Sequence, residues 1–256
     1  MDKQAVRDAV WNAFDEGDHA RFPFPPHDRI PNFAGADAAA ARLARTPEWE
    51  SAATLKANPD APQLPVRRAA LRAGKTLYVA QPRLRDPDPF LRLDPAAIPA
   101  DEIDDATTVS GISAYGAPAA PAAVSDVDLI VAGSVGVATD GFRIGKGEGY
   151  SDLEWAVLRE LGAVDGDTTV ATTVHELSVL DGPESAVRGS AAGDGGAAAL
   201  PTPDAHDVPL DLIATPDRTV RTDTPHARPD GVDWDALDDA KRSAIPVLAE
   251  RAPDTE

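Results

Sequence analysis

From Thr139 to Asp152 the chain reads Thr-Asp-Gly-Phe-Arg-Ile-Gly-Lys-Gly-Glu-Gly-Tyr-Ser-Asp, with Gly145, Gly147 and Gly149 interleaved with residues that include Lys146, just after Arg143. Glycine has no Cβ and reaches positive φ, so backbone N–H groups in such a run can close on an anion. A helix starting just beyond adds its dipole to the same end. An ordinary surface turn uses the same residue types. The spacing matches neither a Walker loop, which ends in GKS or GKT, nor the dinucleotide fingerprint G-x-G-x-x-G.

A cradle of this kind needs a strand behind it and a helix in front. The apolar run Val127–Ala132 has the length and β-branched content of a strand buried on both faces. After the glycines, Ser151 and Glu154 read as a capping box, Leu153, Val157 and Leu161 share a helical face, and Gly162 is a stop. The run from Thr168 to Val174 is a further strand, so a parallel crossover is expected.

Two more groups carry charge at useful spacing. Asp2 is placed to cap a first helix that ends at Gly17, with Val6, Val10 and Phe14 on one face and Lys3 and Arg7 together on another. Paired cations there either grip an anion or are simply solvated. Late in the chain Asp207 and Asp211 flank a turn before the strand Leu210–Ala214, with His206 adjacent. They could hold Mg²⁺, which takes one or two carboxylates besides phosphate oxygens and water, or form a solvated acidic pair. His175 and Glu176 read as structural.

The remaining sequence supplies the frame. Residues 22–33 are proline-rich but too aromatic for a linker, so they are expected to pack. Helices are expected over 36–45, from Thr46-Pro47 through Leu55, and over 65–73, with a loop from Lys56 to Gln63 and a strand over 76–81. The Gly-, Ala- and Ser-rich stretch at about 182–199 reads as a flexible excursion, and residues 233–251 as a C-terminal helix.

Composition excludes several classes. With no cysteine among 256 residues, disulfides, thiol catalysis and cysteine-ligated metal are ruled out. No long apolar stretch and no signal-peptide core are present, so a soluble cytoplasmic protein without membrane partners is expected. The net charge of −19, from 43 acidic and 24 basic residues, argues against nucleic acid as a partner. Spread along the chain, it suits a halophilic protein whose self-repulsion is screened by salt.

Three ordered motifs then coincide: Lys3-x-x-x-Arg7, Gly141-x-Arg143-x-Gly145-x-Gly147-x-Gly149-Tyr150-x-Asp152, and His206-Asp207-x-x-x-Asp211. In these the chain resembles the 5-formyltetrahydrofolate cyclo-ligase (methenyltetrahydrofolate synthetase) family, and its divergent cyclo-ligase-like branch in particular. The resemblance implies a single α/β domain over 1–256, a three-layer sandwich with a mainly parallel central sheet, akin to ribose-5-phosphate isomerase and CoA-transferase folds. It implies ATP and Mg²⁺ as cofactors, a reduced folate or related pterin as partner, and a monomer or small homo-oligomer. By residue it places Lys3, Arg7, Gly145, Lys146, Gly147, Glu148, Gly149 and Tyr150 on the phosphates. Arg143, Lys146 and Asp152 would be catalytic, Gln63, Tyr150 and Ser151 would bind substrate, and Asp152, Asp207 and Asp211 would hold the metal.

The family's reaction phosphorylates the formyl oxygen of 5-formyltetrahydrofolate and closes the ring to the 5,10-methenyl form. Two positions depart from its pattern: Ser151 stands where the family has a second tyrosine, and Gln63 where it has a glutamate near the folate. The alternative is a nucleotide- or pterin-binding paralogue without that turnover, linked to thiamine or other cofactor metabolism. The charge reading is checked by thermal melting: dialysis from about 1 M to about 0.1 M salt is expected to lower the Tm, because the Debye length roughly trebles. An unchanged Tm would contradict it.

Overall fold

The computed structural model describes residues 1–187 and 199–253. Helix α1 (Lys3–Glu16) leads into the ribbon β1 (Ala20–Arg21) and β2 (Asn32–Phe33), then helices α2 (Ala36–Leu43) and α3 (Pro47–Ser51). Strand β3 (Thr54–Ala57), helix α4 (Leu64–Arg72), strands β4 (Thr76–Ala80) and β5 (Phe90–Leu93), helices α5 (Ile103–Ala106) and α6 (Val109–Tyr115), and strand β6 (Ala117–Ala119) follow. Next come β7 (Leu129–Val131), the hairpin β8 (Gly136–Val137) with β9 (Arg143–Ile144), helix α7 (Tyr150–Glu160), and β10 (Thr169–Thr173). Strands β11 (Leu212–Ala214) and β12 (Thr219–Arg221) and helices α8 (Asp239–Ala244) and α9 (Pro246–Ala249) complete the order.

The main sheet has the order β12-β11-β10-β7-β3-β4-β5-β6. Strands β11, β10, β7, β3 and β4 are parallel, and antiparallel β12, β5 and β6 form the edges. Alternation along each strand sends side chains to two apolar layers. Leu55, Leu77, Leu129 and Val131 pack with Leu43, Ala70 and Ile112 on one side, while Tyr78, Ile130, Val170 and Ile213 pack with Val157, Leu158 and Leu248 on the other. The result is the expected α/β sandwich with a mostly parallel sheet between helices. A third cluster ties Val6, Val10 and Phe14 of α1 to Val135, Phe142 and Ile144 of the hairpin region, so the first helix is fixed against the glycine loop.

Several local expectations are corrected. The helix opened by Thr46 ends at Ser51, and part of its predicted length, with the first two residues of the predicted loop, is strand β3 at the middle of the sheet. Lys56 hid that strand, because a lysine inside an apolar run breaks the pattern. The capping box is also absent: Gly149 is the N-cap of α7, in the left-handed region, and Ser151 lies inside the first turn. In place of one C-terminal helix there are the short α8 and α9, separated where Pro246 follows Ile245. The proline-rich segment packs through Ile30 and Phe33 but leaves Phe22 and Phe24 exposed. Most of the predicted excursion lies outside the described residues; its start is packed, with Ser185 Oγ donating to the Leu180 carbonyl at 2.6 Å and Val187 buried.

One buried cation shapes the segment after β3. Arg67 of α4 is 1% exposed and donates to the carbonyls of Thr107 at 3.0 Å, Asn58 at 2.6 Å and Asp60 at 3.0 Å. Burial lowers its pKa to about 10, against the favourable pull of Asp60, and it remains charged at neutral pH. Arg67→Leu would leave those carbonyls unsatisfied and is expected to destabilise the fold by about 3 kcal/mol or more; denaturant unfolding checks this, and a loss below about 1 kcal/mol would contradict the assigned role.

Candidate functional site

Beyond the end of β7, the hairpin β8–β9 and the glycine loop bring α7 to the mouth of a cleft of about 370 Å³. Gly147 and Gly149 have φ of +106° and +73°, conformations strained for any residue with a Cβ. No side chain caps α7, so its first-turn amides, Tyr150, Ser151 and Asp152, lack intrahelical acceptors at the cleft edge. The cleft is also lined by apolar side chains, Val79, Ala80, Leu91, Val109 and Ile112.

A buried ion pair anchors this arrangement. Arg143, on β9, pairs through Nη2 with Asp152 Oδ1 and donates from Nη1 to the Gly133 carbonyl at 3.4 Å. Asp152 Oδ1 also accepts from the Val208 N–H at 3.0 Å, while its Oδ2 takes no donor among the described residues. Arg143 and Asp152, expected on the phosphates and at the metal, are paired with each other, and the arginine neutralises the aspartate and holds hairpin, helix and the chain after 199 together.

The loop cations are arranged around it. Lys146 pairs with Glu148 at 2.8 Å, and Arg83 reaches the same carboxylate at 3.6 Å. Burial lowers the Lys146 pKa, but Glu148 and Asp60 outweigh it, so the ammonium is held above its usual value; Glu148, bonded to Lys146, is held below the carboxylate range. Arg7 Nε donates to the Gly145 carbonyl at 2.8 Å, joining α1 to the loop from behind. Lys241 donates to the Glu148 carbonyl at 3.1 Å and lies over the Tyr150 ring, 5.5 Å from its centroid.

The predicted metal ligands separate. Asp207 neighbours Val208 and hence Asp152, but Lys3 Nζ sits on it at 2.5 Å and on Asp204 at 2.7 Å. The ligating atoms of Asp204, His206 and Asp207 lie within 4.8 Å of one another, and the lysine already supplies their cation. Lys3 is thereby engaged with carboxylates and does not line the cleft. Asp211 is not brought to the site: it lies just before β11, accepts from the Val170 N–H at 2.7 Å and pairs with Arg228. Glu176 binds Arg218 at 2.9 Å and Thr215 Oγ1 at 2.6 Å, and His175 Nδ1 accepts from the Leu177 N–H at 3.2 Å, the structural roles expected of both.

Of the predicted substrate residues, Tyr150 and Ser151 line the cleft. Gln63 does not: it is 0% exposed and both its amide atoms are buried without partners. Sequence reasoning missed the cleft-lining Asn58 and Glu154, which are buried together with Lys56, and also Asp60, whose carboxyl pKa is pushed up by burial against the pull of Lys146, Arg67 and Lys56. The available signal was the lone lysine of β3, whose counter-ion had to lie elsewhere.

Fold and cleft together define an α/β protein with an uncapped helix start at the edge of a partly apolar cavity. The chain belongs to the 5-formyltetrahydrofolate cyclo-ligase family, whose model matches residues 17–183. It is 38% identical over 248 residues to the methenyltetrahydrofolate synthase domain-containing protein of Mus musculus and 34% identical over 248 residues to that of Homo sapiens. Each alignment covers 97% of this chain but only 62% and 61% of those relatives. The NMR structure of Aquifex aeolicus 5,10-methenyltetrahydrofolate synthetase matches with a TM-score of 0.50 at 18% identity, over 89% of this chain and 96% of that one, a likeness of fold.

Removing one member of a buried pair strands the other. Arg143→Ala is expected to destabilise the protein by about 3–5 kcal/mol, whereas the half-exposed Lys146→Ala should change stability by less than about 1 kcal/mol. Chemical denaturation of both variants checks the contrast, and equal stabilities would contradict it.

Proposed function

We propose that the protein is an ATP- and Mg²⁺-dependent cyclo-ligase that converts 5-formyltetrahydrofolate to 5,10-methenyltetrahydrofolate. The observation that carries the reading is the uncapped start of α7, with the glycine loop, opening on a cleft that apolar side chains also line. The amides of the loop and of Tyr150, Ser151 and Asp152 hold the phosphates, and Lys146 adds charge at the lip. Val79, Leu91 and Ile112 take the flat ring system. Arg7 positions the loop through Gly145, and Arg143 positions Asp152.

In the reaction the formyl oxygen takes the γ-phosphoryl group and ADP leaves. N10 then attacks the activated carbon and gives up its proton to solvent, a C–N bond forms, and the C–O bond breaks as phosphate departs with the former formyl oxygen. The protein forms no covalent bond, so its work is to orient the two substrates and neutralise the transferred group. Asp152 suits the metal, because Oδ2 is free of described donors and Mg²⁺ takes few carboxylates beside phosphate oxygens and water. When bound there, the ion would offset charge on the transferred group. Asp211 has no part in this reading.

A second reading, a nucleotide- or pterin-binding protein without turnover, is favoured by Gln63, which is sealed behind the cleft at the position of a folate-binding glutamate. The two are separated by incubating purified protein in high salt with ATP, Mg²⁺ and 5-formyltetrahydrofolate. The methenyl chromophore is expected, and Lys146→Ala should weaken ATP binding by roughly tenfold without lowering the Tm. Thermal stabilisation by ATP with no chromophore supports the second reading, and neither effect would contradict both.

A further inference from the structure

Lys56 is in register with Tyr78 of β4 and Ile130 of β7, so its side chain enters the apolar layer beneath α7. A charge there is unfavourable unless paired, and an aliphatic residue would fill the space without that demand. The pairing is extensive. Lys56 Nζ donates to Glu154 Oε2 and, at 3.3 Å, to Asn58 Oδ1; Asn58 Nδ2 donates to the same Glu154 oxygen at 3.2 Å; and Asn58 Oδ1 also accepts from the Gly133 N–H at 3.2 Å. Every contact on the glutamate falls on Oε2. Its Oε1 has no donor among the described residues and is not sealed from solvent, and Glu154 lines the cleft.

An ionised carboxylate accepts only, so the group that meets Oε1 must carry an N–H or O–H. Position narrows the choice further. Glu154 lies two to four residues beyond the first-turn amides, about 3–6 Å along the helix. A nucleotide held there by its terminal phosphate has its base beyond two further phosphates and a ribose, out of reach. The phosphoryl acceptor, in contrast, must lie directly against the transferred group.

We propose that Glu154 is the specificity-determining acceptor for the amino-substituted edge of the heterocycle that receives the phosphoryl group, with Lys56 as its buried counter-ion and Asn58 as its brace. The assignment rests on the reading that the start of α7 holds the nucleotide's phosphates and that the second substrate is a reduced pterin. It gives this chain a cleft carboxylate that Gln63, neutral and sealed, does not provide.

The test uses the full chain in high salt. Because Glu154→Gln alone strands Lys56, it is made beside the double variant Lys56→Met/Glu154→Met, which removes both charges together. Folding is checked by circular dichroism and Tm, and calorimetry measures binding of ATP, 5-formyltetrahydrofolate and the same folate lacking its 2-amino group. The wild type is expected to prefer the aminated ligand by roughly 10- to 100-fold, and the folded double variant to lose that preference while keeping wild-type ATP affinity. A folded double variant that keeps the preference overturns the assignment of Glu154 alone, as does one that loses ATP affinity instead, which would mark an adenine contact. Should the double variant not fold, a wild type without any preference overturns it. A wild type that binds ATP but no 5-formyltetrahydrofolate removes the pterin reading itself and this assignment with it.

Discussion

The ion pair between Arg143 and Asp152 is the constraint on which the site depends. It joins the hairpin to the first turn of α7, and through the Gly133 carbonyl and the Val208 N–H it adds the end of β7 and the chain after residue 199. Its electrostatic consequence matters as much as its geometry. An aspartate in the first turn ordinarily satisfies the positive end of the helix dipole. Here the arginine neutralises that carboxylate, so the helix start keeps its attraction for an external anion.

That attraction has to operate in an acidic protein. With a net charge of −19, long-range steering of an anion is unfavourable, and most cations near the loop are already matched. Lys3 binds Asp204 and Asp207, Lys146 binds Glu148, and Arg143 binds Asp152. In the proposed reading anion binding therefore rests on fixed backbone dipoles, which do not titrate and are screened little by salt when partly buried.

Much of this was legible in the sequence, for local reasons. The strand Leu129–Val131, the glycine loop, α7 and the parallel strand Thr169–Thr173 follow from an apolar run, positive-φ residues and a helical repeat. The first helix followed from one apolar face between Asp2 and Gly17. Several of the errors share a cause, which is long-range pairing of charge. Glu154 read as half of a capping box with Ser151, whereas its carboxylate belongs to Lys56, 98 residues away. The same lysine concealed β3. Asp211 read as a metal ligand, but its partner Arg228 lies in a turn-rich stretch with no periodicity to announce it. Gln63 was found as a candidate, yet its burial depends on how α4 packs, which no spacing encodes.

The most direct test of the central claim is a titration of ¹⁵N-labelled protein with a non-hydrolysable ATP analogue and Mg²⁺, followed by amide chemical shifts. The account predicts that the largest changes fall on the amides from Gly145 to Asp152, with Val208 responding through Asp152. Saturable binding that leaves those amides unmoved and shifts another surface would contradict it.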